Sequence, residues 1–429
     1  MNLTVRNVGK VRSAAVRIDG ITVIAGENNS GKSTMGKALY ALFHGLYSMD
    51  QKVDRERGNS ILGAVTAVCE DGFVDQFIPR KSINVITRKI IKDRRAYIDQ
   101  PSKLKGEFVA ADKDFGTKLE ASEFDDRIAA LNNTLKVTDE EIKKSLVNRS
   151  FSGEFHGQTT DISSDKQGEV CLTIKGKDIT AIISDDKITD IRNGESIRTE
   201  VFYLDDPYVL DEPRDNGLFL SSYTPYLRYE SIKNHRNYLA DRLFSSKSGN
   251  PNVVDELVTE KLLQGIVEKL DSACSGAIEN TDKHGWMYKR KDSDEYLDIM
   301  NLSSGLKSFV ILKTLLMNGA IEKNGTIILD EPEIHLHPEW QLLFAEIIVL
   351  LQKEFGLHIL LNTHSPYFLS AIETFSAKYG IADKCSYYLS SVDGNSAVIE
   401  DVTDDLEKVY KKLAMPLQRL DTMQHEDEP

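Results

Sequence analysis

Two runs of residues hold most of the chemistry this sequence can do. In one, Thr326-Ile327-Ile328-Leu329 runs apolar straight into Asp330 and Glu331. A buried strand has no packing use for two adjacent carboxylates at its end, whereas a magnesium ion with a polyphosphate does. Asp330 can hold such a metal through water, and Glu331 can orient or deprotonate an attacking water. An acidic turn would look the same, so this pair does not decide alone. In the other run, the strand-like Ile21-Thr22-Val23-Ile24 leads into Gly26-Glu27-Asn28-Asn29-Ser30-Gly31-Lys32-Ser33-Thr34, a complete P-loop. Its glycines let backbone N–H groups wrap the β- and γ-phosphates, Lys32 reaches their oxygens, and Ser33 ligates magnesium. A helix over Met35 to Leu46 adds its N-terminal dipole. These residues predict a bound nucleoside triphosphate.

Other stretches gain meaning from that company. Asn301-Leu302-Ser303-Ser304-Gly305-Leu306-Lys307-Ser308 precedes an apolar helical run, Phe309 to Leu316, closed by Gly319. A serine hydroxyl with backbone N–H groups at a helix start makes an anion site, although it also makes an ordinary cap. Leu357 to Leu361 reads as a strand ending in Asn362-Thr363-His364-Ser365-Pro366. At the sheet edge that holds Asp330, the His364 imidazole could reach a γ-phosphate. His335 and His337 alternate along an extended segment, a spacing open to a metal pair. Asp205-Asp206-Pro207 closes another apolar strand, Val201 to Leu204, where the proline favours a turn over a metal site. Lys233, His235, Arg236 and Arg242 are expected to face water rather than phosphate.

The elements that must position these residues alternate strand and helix. Leu3 to Val8 and Ala14 to Ile18 read as strands ahead of the P-loop strand, and Val170 to Ile174, Ile179 to Ile183 and Ile188 to Ile191 as a later β-rich stretch. Helices are expected over Asp125 to Leu135, Asp139 to Val147, Ser231 to Phe244, Asn252 to Leu270 and Glu339 to Phe355. A hairpin of Trp286 to Tyr288 with Tyr296 to Ile299 delivers the serine-glycine run. A last helix, Asp404 to Leu413, is amphipathic and stopped by Pro416.

Composition narrows the classes. With 41% apolar and 28% charged residues the chain is expected to fold and stay soluble. No window approaches the ~20 apolar residues of a membrane span and the N-terminus lacks a signal peptide's apolar segment, so a cytoplasmic protein with no membrane partner is expected. Cys69, Cys171, Cys274 and Cys385 show no CxxC spacing, which disfavours a zinc site or a disulfide framework. A formal charge of -14 argues against a surface that binds nucleic acid everywhere. Locally the balance reverses: Arg80, Lys81, Arg88, Lys89, Lys92, Arg94, Arg95, Lys103 and Lys105 face only Asp93 and Asp99. That stretch reads either as a solvated helix face or as a surface for nucleic acid or a partner.

In this order along the chain, P-loop, Ser303-Ser304-Gly305, Asp330-Glu331 and His364 resemble the ABC-class ATPase head. The resemblance implies an α/β fold, a P-loop NTPase with a mixed β-sheet and flanking helices. It covers residues 1–47 and 285–370, and gives an N-terminal part of the head at 1–50, a large inserted helical and β-rich region at 51–284 and a C-terminal part at 285–429. It implies ATP and Mg2+ as cofactors, Leu302-Ser303-Ser304-Gly305 as signature motif, Glu331 as catalytic base and His364 as switch histidine. It also implies a head-to-tail homodimer, open to higher oligomers, in which Ser303 and Gly305 close on the nucleotide of the other copy. Glu331-Pro332-Glu333-Ile334-His335-Leu336-His337-Pro338 and Thr363-His364-Ser365-Pro366 are similar in wording to the branch of RecF, SMC and Rad50 proteins and of phage-defence ATPases. Overcoming-lysogenization-defect nucleases, Gabija, Septu and retron-linked ATPases belong to that branch. There the segment with His335 and His337 matches a loop that contacts the opposite subunit. The glutamine expected to sense the γ-phosphate has three candidates, Gln51, Gln76 and Gln100.

Several members of that branch carry a Toprim nuclease after the switch histidine. The residues beyond His364 show no carboxylate cluster of nuclease spacing, so cutting is expected from a separate polypeptide. The leading expectation is an ATPase that gates a separately encoded effector, a nuclease, in antiviral defence; Septu-type ATPases, with an HNH-nuclease partner, are the nearest in size. Two alternatives stay open: a RecF-like repair ATPase that grips DNA through residues 80–105, and a nucleotide-sensing scaffold with little turnover.

Overall fold

The computed structural model describes residues 1–71, 75–76, 80–111, 121–161, 166–211, 234–245, 253–281 and 285–426. They form two compact units, one with residues 1–47 and the described residues from 147 onward, the other with the described residues from 48 to 146. The first unit opens with β1 (Asn2–Val8), β2 (Val11–Arg17), β3 (Ile21–Gly26) and α1 (Lys32–Leu46). Every residue of β3 is buried, as a central strand covered on both faces requires.

The second unit is helical. Its elements are α2 (Met49–Cys69), the two-residue strands β4 (Glu70–Asp71) and β5 (Asp75–Gln76), α3 (Arg80–Lys92), α4 (Arg94–Asp99), α5 (Pro101–Ala111) and α6 (Ala121–Lys136). The next helix, α7 (Asp139–Phe155), begins in it. A core of its own includes Ile61 and Val65 from α2, Ile83, Ile86 and Ile90 from α3, Phe108 from α5 and Leu131 from α6. The i, i+3, i+7 spacing of the α3 isoleucines turns that helix's charged residues outward.

The chain then returns to the first unit with β6 (Gly168–Ile174), β7 (Lys177–Ser184), β8 (Lys187–Arg192), β9 (Val201–Leu204), α8 (His235–Leu243) and α9 (Val253–Ala273). A small antiparallel sheet of β10 (Ala277–Thr281), β11 (Gly285–Lys289) and β12 (Tyr296–Asp298) precedes α10 (Ser304–Met317). There follow β13 (Thr326–Asp330), α11 (Pro338–Phe355), β14 (His358–Thr363), α12 (Pro366–Lys378), β15 (Cys385–Asp393), β16 (Ser396–Asp401) and α13 (Glu407–Glu426).

Eleven strands make one mixed sheet in the order β8-β7-β6-β1-β2-β16-β15-β3-β14-β13-β9. The five from β15 to β9 are parallel, each joined to its neighbours through helical crossovers or distant parts of the chain. Helix α1 packs against β13, β14 and β9 on one face, while α10, α11 and α12 bury Phe309, Phe344, Ile348 and Phe368 with Ile21, Val23, Ile327 and Ile359 on the other. Register sets Asp330 beside Asn362 and Thr363 beside Ala25. The P-loop, the Asp330-Glu331 pair and His364 therefore leave the sheet at one edge, the C-terminal ends of neighbouring parallel strands.

This is the expected α/β P-loop fold, but the boundaries at 51 and 284 are not where the structure divides. The β-rich stretch after residue 168 belongs to the main sheet: β6 pairs with β1, Leu3 opposite Leu172 and Val5 opposite Val170, and β9 pairs with β13. Sequence alternation marks strands without naming their neighbours, and β1 has a free edge that β6 covers. Among the described residues, the helical stretch from 48 to 146 makes up the separate unit. Pro416 does not stop the last helix, which continues through it to Glu426. Pro416 is exposed, so water can take up the carbonyl its missing N–H leaves unbonded. The helices expected from Ser231 and Asn252 are described from His235 and Val253; residues 231–233 and 252 lie outside the described residues. Among the described residues no helix is long and apolar enough to cross a membrane, and all four cysteines are free thiols.

Candidate active site

The P-loop connects the end of β3 to the first turn of α1. Gly31 is the N-cap with φ 89°, and a Cβ there would stand 2.8 Å from Ala397 Cβ and 3.0 Å from Val11 Cγ2, so both the left-handed backbone and the space demand glycine. No side chain caps α1 and no acid sits in its first turn, which leaves its dipole and N–H groups for an anion. Lys32 is 3% exposed. Its Nζ donates to the carbonyls of Gly26 (3.0 Å) and Glu27 (2.9 Å) and lies 3.3 Å from Glu331 Oε1, contacts that compensate a buried cation. Ser30 Oγ donates to the Glu27 carbonyl at 2.7 Å, and Ser390 Oγ to the Ser30 carbonyl, fixing the loop's path. Asn28, Asn29 and Ser33 are exposed and Thr34 half-buried.

Across the sheet edge, both oxygens of Asp330 are held: Tyr203 Oη donates to Oδ2 at 2.8 Å and Asn362 Nδ2 to Oδ1 at 2.9 Å. Glu331 has φ 51°, a left-handed backbone that a non-glycine residue adopts at a cost, and its N–H donates to the Asn362 carbonyl at 2.9 Å. That turn aims Glu331 Oε1 to 3.3 Å from Lys32 Nζ and 3.5 Å from His364 Nδ1. Glu333, 3% exposed, accepts Thr363 Oγ1 and the His364 N–H (3.2 Å) on Oε1 and so clips the β14 end to the β13 end. Burial pushes the Glu333 carboxyl up from its ordinary pKa. Glu333 Oε2, Asn362 Oδ1 and His364 Nδ1 are buried with no hydrogen-bond partner among the described residues. Unpaired polar atoms on the residues bracketing Glu331 suit a polar occupant.

Behind Asp330 lies a layer that sequence reading did not assign to the site. The Tyr203 ring stacks on His235 at 4.3 Å. His235 Nδ1 is 2.7 Å from Glu154 Oε2 and Nε2 is 3.1 Å from Asp205 Oδ1, while Arg236 grips Asp205 with bonds of 2.7 and 3.1 Å. Burial alone would lower the His235 pKa, but the two carboxylates outweigh it and raise it to about 9. Burial would raise Asp205, but His235 and Arg236 outweigh it and bring it down to about 2. The expectation that these cations face water is thus corrected: His235 and Arg236 face Asp205, Arg242 Nε meets Glu200 Oε2 at 3.0 Å, and Lys233 lies outside the described residues. A charged face on α8 reads identically in sequence whether its partners are solvent or buried acids. Asp206 accepts the Tyr208 N–H at 2.8 Å and opens the 3-10 turn Pro207–Asp211, as the proline suggested.

Ser303 is the exposed N-cap of α10, its Oγ accepting the Leu306 N–H at 3.4 Å. A Cβ on Gly305 would come within 2.8 Å of the His335 carbonyl, so this turn presses on residues 335–340. Lys307, wholly buried, donates to both Asp211 oxygens at 2.7 Å and to the Met300 carbonyl at 3.2 Å, beneath the Tyr208 ring. Among the described residues no hydrogen bond or ion pair joins Ser303, Ser304 or Gly305 to residues 26–34. His335 stands edge-on to Tyr208, and His337 Nδ1 caps α11 by accepting the Glu339 N–H, so the alternating histidines serve packing and capping. Gln51, Gln76 and Gln100 all lie in the helical unit, not in the unit with the P-loop.

Magnesium keeps several waters and phosphate oxygens and needs only one or two protein ligands. Exposed Ser33 and the remaining lone pairs of Asp330 match that demand. No cluster of three or more His, Cys, Asp or Glu able to hold a metal occurs among the described residues.

The AAA ATPase domain profile, AAA_15, matches residues 1–369. The chain belongs to this ATPase family. It is 26% identical over 205 residues to a retron Vc95 probable ATPase from Vibrio cholerae serotype O1 biovar El Tor, a match covering 45% of this chain and 36% of that relative. The match thus spans little more than a third of the relative's length. Among solved structures, the SMC head domain from Thermotoga maritima aligns over 94% of this chain and 98% of its own with 11% identity and a TM-score of 0.35. The Smc head domain with an extended coiled coil, bound to the C-terminal domain of ScpA derived from Pyrococcus furiosus, aligns over 96% and 98% with 12% identity and a TM-score of 0.41.

Proposed function

We propose that this AAA-family chain binds ATP with Mg2+, hydrolyses it slowly or under regulation, and dimerises head to tail around the nucleotide. The observation that carries the reading is Glu331, turned into a left-handed backbone so that its carboxylate stands between Lys32 and His364. Residues Gly26 to Thr34 wrap the phosphates, and Lys32 exchanges its loop carbonyls and Glu331 for β,γ-oxygens. That exchange leaves Glu331 to hold the attacking water, with His364, kept in place by Glu333, beside the γ-phosphate. Ser33 and Asp330 hold magnesium, which supplies charge neutralisation on the triphosphate. Tyr203 and Asn362 fix the Asp330 carboxylate for that task.

Ser303, Ser304 and Gly305 act on the partner copy's nucleotide, a role that suits an exposed N-cap with no hydrogen bond or ion pair to its own P-loop among the described residues. The working output is control of a separately encoded effector, a nuclease, in antiviral defence in the cytoplasm, as in Septu-type systems. The likeness to a retron's probable ATPase supports this finer step. Light scattering tests the dimer: the Glu331→Gln protein should double in mass with ATP and Mg2+, and Ser303→Glu should prevent doubling while still binding a fluorescent ATP analogue. A mass independent of nucleotide would overturn the trans arrangement.

A further inference from the structure

The helical unit carries a charge pattern that the ATPase reading does not use. Over Arg80 to Lys92 there are five basic residues and no acid. Ile83, Ile86, Thr87 and Ile90 face the unit's core, and Lys81, Val85, Arg88 and Lys92 follow one another at i, i+4, i+7 and i+11 on the opposite face. This stripe is about 16 Å long at the rise of an α-helix. The neighbouring cations divide into two classes. Lys89 meets Glu107 at 2.7 Å, Lys105 meets Asp125, and Arg94 donates to the Val137 carbonyl at 3.3 Å. Arg80, Lys81, Arg88, Lys92, Arg95 and Lys103 are exposed and make no ion pair among the described residues. In a chain with fourteen more acids than bases, leaving these six without acids is a local reversal.

We propose that this face of α3 binds the phosphodiester backbone of duplex nucleic acid without reading its sequence. A straight row of long cationic side chains matches a rigid line of phosphates and gives its affinity through counterion release. The aromatics of these helices are withdrawn: Tyr97 and Phe108 are buried in the core. The platforms on which single-stranded bases stack are therefore missing from the stripe, whose exposed apolar member is Val85. The assignment is independent of whether the other unit hydrolyses ATP.

The test is fluorescence anisotropy of a labelled mixed-sequence 20-mer, duplex and single-stranded, with the full chain at several salt concentrations. The wild type should bind the duplex with a steep salt dependence and more tightly than the single strand. The triple variant Lys81→Ala, Arg88→Ala, Lys92→Ala should lose at least tenfold in affinity at low salt, and its log–log salt slope should be shallower by about 2.7, three phosphates' worth. A second triple variant of equal charge change, Lys175→Ala, Lys187→Ala, Arg192→Ala on the exposed β6–β8 side of the main sheet, should bind as the wild type does. Thermal melting checks that both variants are folded. Unchanged binding by the α3 variant, equal loss in the control variant, a preference for the single strand, or displacement of the duplex by polyglutamate at matched charge would each overturn the proposal.

Discussion

The carboxylate edge of the main sheet and the outer face of α3 both concentrate charge, and they treat it in opposite ways. In the unit of the main sheet the buried cations among the described residues each have a protein counter-ion: Lys32 with Glu331, His235 with Asp205, Lys307 with Asp211, Lys313 with Asp271. On α3 the stripe cations are exposed and make no ion pair among the described residues. Paired and unpaired charge suit different tasks. A buried ion pair holds geometry, because removing one member strands a charge in low dielectric. An exposed unpaired row holds nothing in its own fold and is available to something outside.

The largest effect is expected at Lys32. Lys32→Ala should abolish binding of a fluorescent ATP analogue, a loss of at least ~100-fold if the lysine contributes a charge-assisted phosphate contact of about 3 kcal/mol. Retained binding would leave Lys32 as one more structural ion pair. Next in size, Asp211→Ala strands buried Lys307 and should cost about 3 kcal/mol of stability in urea unfolding. Lys81→Ala, on the exposed stripe, should stay within about 0.5 kcal/mol. Equal costs for the two would erase the distinction between the regions.

His235 offers a pH test of the same contrast. Its imidazolium faces Glu154 and Asp205, with the Tyr203 and Tyr40 rings against it. With the folded pKa raised to about 9, its contribution to stability should be whole below the unfolded pKa of roughly 6.5 and be lost as pH rises through 9. The size expected is on the order of 1–3 kcal/mol, read as a falling melting temperature between those pH values and a flatter profile in His235→Asn. Smallest is Tyr203→Phe, which removes one hydrogen bond from Asp330. It should raise the Mg2+ needed for half-maximal nucleotide binding about tenfold while leaving Mg2+-free binding unchanged.

Much of the site was legible in residues that are consecutive in sequence. The P-loop, Asp330-Glu331 and His364 announce themselves because strand, carboxylates and helix start adjoin along the chain, and the parallel register then aligns them. Glu333 and Asn362 stand inside the same motifs, but their tasks depend on pairing between β13 and β14 ends. Tyr203 was out of reach, since nothing local says that β9 lies beside β13. Nor could composition distinguish α8, whose cations turn inward to buried acids, from α3, whose cations do not. The same ignorance of strand neighbours drew the inserted region too wide, by counting β6 to β9 with the helices.

Glu331 is placed to do the chemistry rather than merely to balance Lys32. The most direct measurement is single-turnover hydrolysis of labelled ATP by the wild type and Glu331→Gln, with nucleotide affinity measured on the same samples. Glu331→Gln should bind ATP with Mg2+ as tightly as the wild type, or more so, and hydrolyse it at least ~100-fold more slowly. Hydrolysis at the wild-type rate by a variant that binds normally would contradict that role for Glu331.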